Sequence, residues 1–267
     1  MSRISDRFSD LKRRGRTGFI AYLTAGDPDL ETTRQLILEL DRRGVDVVEL
    51  GIPFSDPLAD GPVIQEASQR ALKAGASAGK VVDLVANLRR DTEIPLVLFT
   101  YFNPVHNYGL ERFAHDAKAV GADGVLVLDL PPEEGGDYKR LMDDRGIDTI
   151  FLLTPTSRDD RIRLISDCTT GFIYYVSRTG VTGERESLER NIGAMVQRIR
   201  SHSSKPVAVG FGISNPAQSR EVGRYADAVV VGSAIVRQVG ARAKDPDIVG
   251  RVGQFVETLI EPLRGGA

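Results

Sequence analysis

Glu49, Asp56 and Asp60 sit together in ELGIPFSDPLADGP (residues 49–62), a stretch that also holds Pro53, Pro57, Pro62, Gly51 and Gly61. It follows the run VDVV at 45–48. Side chains alternate along a strand, so if Val48 and Leu50 face a covering layer, Val47 and Glu49 face the opposite, interior side. A carboxyl removed from water favours its neutral form, which raises its pKa. A glutamate poised in this way can both donate and accept a proton near neutral pH. The competing reading is a structural ion pair with an arginine or lysine. The prolines and glycines make the following loop stiff and sharply turned, suited to holding a second carboxylate, Asp56 or Asp60, at a fixed place. Both aspartates are also ordinary turn formers, and Asp60, just before GPVIQEA, could cap a helix. Spacing alone does not choose between them.

A second set of residues has the chemistry of a phosphate site. VAVGFGISN (207–215) places Gly210 and Gly212 at the end of one apolar run, and VVVGSAIV (229–236) places Gly232 and Ser233 at the end of the next. Backbone N–H groups at strand-to-helix turns, with the positive end of the helix behind them, bind phosphate. A third glycine-rich segment, SRTGVTGERES (177–187), is long for a loop of this kind. It reads either as a lid bringing Thr182 and Gly183 to a phosphate or as a flexible connection.

The elements that position these residues follow a regular alternation. Eight β-branched runs read as strands, at 18–24, 45–50, 94–101, 124–130, 149–154, 171–177, 205–211 and 227–233. They are apolar almost throughout, as in a parallel sheet covered on both faces. Amphipathic segments lie between them, at 29–44, 103–121 and 131–146, each ending at a glycine, with others after the later strands. The second connection holds two helical stretches, GPVIQEASQRALKAG and SAGKVVDLVANLRRD. The expected fold is α/β: a TIM (β/α)8 barrel forming one domain over 1–267, with an extra N-terminal helix and an extra helix in the second βα connection. A doubly wound open sheet is the alternative. In a barrel, chemistry belongs at the C-terminal ends of the strands, where both groups of residues fall.

What the chain lacks narrows the reaction. Its net charge of −2 gives no field for nucleic acid or a membrane surface, and the one cysteine, Cys168, suits a reducing, cytoplasmic setting. The opening MSRISDRFSDLKRRGR is polar and basic, unlike a secretory signal, and no apolar run is long enough to span a bilayer. His106, His115 and His202 show no ligand spacing, so no metal site is expected. None of the seven lysines stands where a Schiff-base lysine would be needed, and Gly210-Phe211-Gly212 lacks the context of a dinucleotide site. Acid–base chemistry by carboxylates on a phosphorylated substrate remains. Isomerisation and carbon–carbon cleavage both fit. Cleavage without lysine or metal requires a substrate that stores the departing electrons, such as an electron-rich aromatic ring protonated at carbon.

The stretch VELGIPFSDPLADGPVIQ (48–65) closely resembles the signature of the tryptophan synthase alpha chain family. The resemblance extends in order through FIAYLTAGDP, TYFNPVHNYG, GVLVLDLPPEE, SRTGVTGE, VAVGFGIS and VVVGSAIV. It implies a TIM barrel that cleaves indole-3-glycerol phosphate to indole and glyceraldehyde 3-phosphate, with Glu49 and Asp60 as the catalytic acids. Glu49 would protonate indole C3 and take the proton of the glycerol C3′ hydroxyl, and Asp60 would hold the indole N–H. The resemblance further implies phosphate ligands at Gly183, Gly212, Gly232 and Ser233. Tyr22, Ile64, Thr100, Tyr174, Thr182 and Phe211 would form the indole and glycerol pocket. Asp56 and Pro57 would meet a partner, the pyridoxal-phosphate beta chain of an αββα assembly, while this chain carries no cofactor. Tyr22 where many relatives have Phe, and Phe99 where Met is common, change the pocket wall. A stand-alone lyase and a non-catalytic phosphate-sugar binding barrel are the alternatives.

Overall fold

The computed structural model describes residues 2–177, 185–210 and 212–265, and for 185–191 the backbone only. Its strands are β1 (Gly18–Thr24), β2 (Val47–Gly51), β3 (Leu96–Thr100), β4 (Gly124–Val127), β5 (Asp148–Ile150), β6 (Leu152–Leu153), β7 (Ile173–Val176), β8 (Val207–Gly210) and β9 (Ala228–Val231). All pair in parallel in the order β5-β4-β3-β2-β1-β9-β8-β7-β6. The two ends of that order, β5 and β6, are consecutive in the chain and separated by Phe151 alone. They are one barrel position interrupted at Phe151, whose carbonyl still accepts from the Tyr174 amide at 3.2 Å. The eight expected strand positions are therefore all present, the fifth in two pieces.

Twelve helices surround this sheet among the described residues. The doubled second connection is present as α3 (Pro62–Lys73) and α4 (Ala78–Leu88). The segment expected as one helix at 103–121 is two, α5 (Phe102–Tyr108) and α6 (Leu110–Ala119), because Gly109 stands between them with φ +92°, outside the helical region. A long C-terminal helix, α12 (Ile248–Arg264), was not among the sequence expectations. It packs Val252, Val256, Leu259 and Ile260 into the outer core. Local chemistry fixes several starts: Asp29, Ser77 and Asn215 each accept an amide of the first turn of their helix.

The barrel separates two apolar layers. Val48, Leu50, Leu96 and Leu98 belong to the large layer between strands and helices, whereas Ile20, Val47, Val97, Leu126, Phe172 and Val230 fill the barrel interior. This is the alternation expected from the sequence, with Val47 inside and Val48 outside. The N-terminal mouth is stoppered by α1 (Arg3–Arg13), which inserts Ile4, Phe8 and Leu11 into the interior cluster. Phe8 packs on Phe172 with ring centroids 5.7 Å apart.

Carboxylates organise the rim of that mouth. Asp46, Asp123 and Asp227 each precede a strand and accept a backbone amide at the start of the neighbouring one: Phe19 at 2.9 Å, Leu96 at 2.8 Å and Val207 at 2.8 Å. Arg7 reaches Asp46 at 3.3 Å, and Arg3 and Arg89 reach Asp123 at 3.0 and 2.7 Å. The helix that closes the barrel is thus held by apolar insertion and by charge at its edges. Phe8→Ala removes the one ring of the stopper helix, and we expect it to destabilise the chain by about 3–5 kcal/mol in urea denaturation, with the secondary structure retained before the transition.

Candidate active site

Glu49 lies near the C-terminal end of β2, in register between Tyr22 of β1 and Val97 of β3. It is fully buried, and neither carboxylate oxygen has a hydrogen-bond partner. Among the described residues no arginine or lysine forms an ion pair with it, so the structural ion-pair reading does not hold. Desolvation alone raises its pKa to about 8. At neutral pH it is therefore mostly the neutral acid, with a proton to give.

Asp60 ends the loop after β2. The helix-capping reading fails for it: the N-cap of α3 is Gly61, Pro62 opens the first turn, and no side chain caps the helix. Its carboxylate instead accepts from the Tyr101 hydroxyl at 3.0 Å, and that same hydroxyl accepts the Ala59 amide at 3.0 Å. Gln65 Nε2 donates to the Asp60 carbonyl at 2.9 Å, and Phe54 packs on the Tyr101 ring at 5.4 Å. The loop is held in place by these contacts. Burial raises the Asp60 pKa to about 6, against the opposing effect of the Tyr101 hydrogen bond. Asp56 is exposed, and Pro57 precedes Leu58, which is 91% exposed.

Two tyrosines bind these acids into one site. Tyr22 is buried and Tyr174 half-buried; desolvation of their hydroxyls, reinforced by the nearby Glu49 and Asp60 carboxylates, raises both pKa values. Tyr22 meets Phe99 edge-on at 5.1 Å, and Ile64 and Phe99 pack against the cluster it forms with Ala67 and Val236. Glycines make room for both rings. A Cβ at Gly51 would overlap the Tyr22 hydroxyl, and one at Gly210 would stand 3.0 Å from the Tyr174 ring.

Of the expected pocket residues, Tyr22, Ile64 and Tyr174 fall on this wall, but Thr100 does not. Strand alternation puts Val97 and Phe99 inside the barrel with Glu49, and sends Thr100 to the side of Leu96 and Leu98, where it is 1% exposed. Phe99 takes the place expected of Thr100. Tyr101, which fixes Asp60, was missed as well. Its signal was present: a hydroxyl-bearing aromatic directly after a strand end. Leu128 and Leu152 also pack toward the interior cluster and were not singled out.

The expected phosphate turns have suitable backbone. Gly212 adopts φ +66°, with open space where a side chain would be. Gly232 precedes α11 (Ser233–Ala241), whose first turn no side chain caps, leaving its leading amides for a ligand. Thr182, Gly183 and Phe211 lie outside the described residues.

A parallel barrel with an unpaired buried glutamic acid, a tethered aspartate and uncapped glycine turns at the C-terminal strand ends defines a (β/α)8 enzyme of acid–base type acting on a phosphorylated substrate. The tryptophan synthase alpha chain family model matches residues 8–259, so the chain belongs to that family. It is 51% identical over 259 residues to the tryptophan synthase alpha chain of Geotalea uraniireducens, covering 97% of each chain. Its fold is similar to the crystal structure of tryptophan synthase subunit alpha from Legionella pneumophila, with TM-score 0.91, 37% identity and 98% of each chain covered. It is also similar to a chain of the tryptophan synthase complex from Pyrococcus furiosus, with TM-score 0.82 and 38% identity, covering 92% of this chain and 98% of that one. The carbon–carbon lyase activity expected from the sequence is therefore the activity of its family.

Tyr101→Phe leaves the ring but removes the hydroxyl shared by Asp60 and Ala59. Loss of a hydrogen bond to a charged group is worth about 1.5–3 kcal/mol, so kcat/KM is expected to fall by about tenfold or more. An unchanged rate would show that Asp60 holds its position without Tyr101.

Proposed function

We propose that Glu49 and Asp60 carry out the retro-aldol cleavage of indole-3-glycerol phosphate in this chain. The observation that carries the reading is the pair of unpartnered, fully buried Glu49 oxygens beside an aspartate held on a separate loop. Glu49 begins as the neutral acid and delivers its proton to indole C3. The ring then carries positive charge at nitrogen, and ionised Asp60, accepting the indole N–H, balances it. The Glu49 carboxylate now takes the proton of the C3′ hydroxyl. As the C3′ carbonyl forms, the C3–C3′ bond breaks, and its electron pair returns to the ring and neutralises the nitrogen. Indole and glyceraldehyde 3-phosphate are the products, and Glu49 is again protonated. The ring is the electron sink, so this chain needs no cofactor for the step. Gly212, Gly232, Ser233 and, by resemblance, Gly183 hold the phosphate, while Tyr22, Ile64, Phe99 and Tyr174 enclose the ring. Thr182 and Phe211 stay in this reading on resemblance alone.

The partner is a tryptophan synthase beta chain, which takes up the indole and carries pyridoxal phosphate. Asp56 and Pro57 form part of the contact. The exposed apolar Leu58 beside them supports this, because a large exposed aliphatic side chain on a stiff loop is suited to burial by another surface. Among the described residues no helix is long and apolar enough to cross a membrane. A biosynthetic metabolite as substrate and the sparse cysteine usage support a cytoplasmic setting.

Glu49→Gln is expected to lower the cleavage rate at least ~10²-fold with substrate binding largely intact. Near-normal turnover would overturn the assignment. For the wild type, kcat/KM should follow a bell. It falls below about pH 6 as Asp60 is protonated and above about pH 8 as Glu49 ionises. The stability contribution of Glu49 runs in one direction only. The folded-state pKa of Glu49 lies above its ordinary 4.5, so between 4.5 and about 8 the unfolded chain has lost a proton that the folded chain keeps. Its contribution to stability therefore falls as pH rises through that window, and Glu49→Gln should remove this fall. Indole release measured with and without a beta chain separates the two lyase readings: a large gain on mixing marks a subunit, and full activity alone marks a stand-alone enzyme.

A further inference from the structure

The Tyr101 hydroxyl donates to the Asp60 carboxylate and accepts from the Ala59 amide, so Asp60 stands where Tyr101 puts it. What holds Tyr101 lies on the neighbouring strand. Tyr101 is the N-cap residue of α5, yet its side chain reaches Asp60 and caps nothing. The leading amides of that helix therefore need acceptors from elsewhere. Of its first three positions, Pro104 carries no N–H, which leaves the amides of Phe102 and Asn103. The Phe102 amide donates to Asp129 Oδ1 at 2.6 Å.

Asp129 follows β4 at the same end of the barrel as Glu49. Leu128 packs toward the interior, and Asp129 turns the other way, to the start of α5. A carboxylate that accepts a leading helix amide makes a charge-assisted bond at the helix end that favours negative charge. The backbone on the other side of Tyr101 is braced as well. The Thr100 hydroxyl donates to the Tyr101 carbonyl at 3.1 Å, and the Leu128 amide donates to the Thr100 carbonyl at 2.9 Å. The end of β4 thus grips Thr100 and Phe102, the two neighbours of Tyr101. Burial and the Asp60 carboxylate raise the Tyr101 pKa, and the charge of Asp129 adds to this, so the phenol keeps the proton that it donates.

We propose that Asp129 is a positioning residue for the cleavage reaction: by taking the Phe102 amide it fixes the direction of Tyr101, and through Tyr101 the place of Asp60. This role rests on Asp60 being the counter-ion of the indole nitrogen, as proposed above. Asp129 itself is exposed and bonds neither acid; it ties the loop after β2 to the end of β4 across the top of β3. The titratable groups around the Tyr101 hydroxyl are Asp60 on the loop after β2, Tyr22 on β1 and Asp129 after β4. Glu49, on β2, governs the other limb of the pH profile.

The test measures indole release by the full chain across both limbs of the pH profile, for Asp129→Ala, Asp129→Asn, Tyr101→Phe and the double variant of Asp129→Ala with Tyr101→Phe. Asp129→Ala, at an exposed position that does not threaten folding, should lower kcat/KM by about three- to tenfold, the scale of a lost helix cap. It should also move the acid limb upward from about pH 6, toward that of Tyr101→Phe, because the Tyr101 hydrogen bond lowers the Asp60 pKa. The limb set by Glu49 stays in place. Asp129→Asn keeps an oxygen for the Phe102 amide and should recover most of the rate. In the Tyr101→Phe background, Asp129→Ala should change neither quantity further, since its effect passes through the missing hydroxyl. Independently of turnover, the Ala59 amide resonance should shift in Asp129→Ala, because that amide donates to the Tyr101 hydroxyl. An unchanged rate and acid limb in Asp129→Ala, or a loss that adds in full to that of Tyr101→Phe, would overturn the proposal. Asp60→Asn is the control: if it is slow while Asp129→Ala is not, the positioning role alone fails, and if Asp60→Asn turns over normally, the counter-ion reading fails and takes this role with it.

Discussion

The chemistry rests on one electrostatic fact: a carboxyl group sits inside the barrel with nothing to pair with. An ionised glutamate in such a place would face a desolvation cost that no cation or amide offsets, so the group stays protonated to about pH 8. Every other feature of the site follows from keeping it so. Flanking strands exclude water from both sides, the nearby phenols stay neutral, and the more readily ionised carboxyl is a different residue, Asp60. Two carboxyls with separated pKa values stand on two supports, a strand and a loop, which is the arrangement the proposed division into acid and counter-ion requires.

The same barrel shows what a buried acid looks like when its role is structural. Asp46 and Asp123 at the N-terminal mouth are also desolvated, and burial also pushes their pKa values up. There, however, each accepts a strand amide and an arginine, and those interactions oppose the shift. Paired carboxylates tie strands to each other and to α1 at one end, and an unpaired one is left reactive at the other. The division matches the general separation in such barrels between a stability face and a chemical face.

Much of this was legible in the sequence because it depends on short-range pattern. Alternation along β2 gave Glu49 its inward direction, and apolar runs gave the strand positions. What stayed hidden depended on contacts between distant segments or on phase at a strand end. Spacing could not choose Asp60 over Asp56, since the choice depends on Tyr101, 41 residues further along the chain. Thr100 was one residue out of phase, and only the pairing of β3 with β2 shows that Phe99 shares the side of Glu49. The split at Phe151 and the break at Gly109 are local departures within otherwise regular apolar patterns.

The pocket wall shows why its glycines are part of the site rather than mere turns. Gly51 follows Glu49 by two positions, on the same side of β2, and its missing side chain is the space that the Tyr22 hydroxyl occupies. Gly210 does the same for the ring of Tyr174, and Gly232 lies against the base of Tyr22. A tyrosine at position 22 is larger than phenylalanine by one oxygen, and that oxygen points at the backbone of β2 rather than toward open space. Residue 22 can therefore carry the added hydroxyl in the space left at position 51, provided that position 51 stays glycine. The two positions act as one packing unit. The turn at Gly232 is joined to the same unit through Tyr22, so the proposed phosphate turn and the acid at Glu49 share one packed wall.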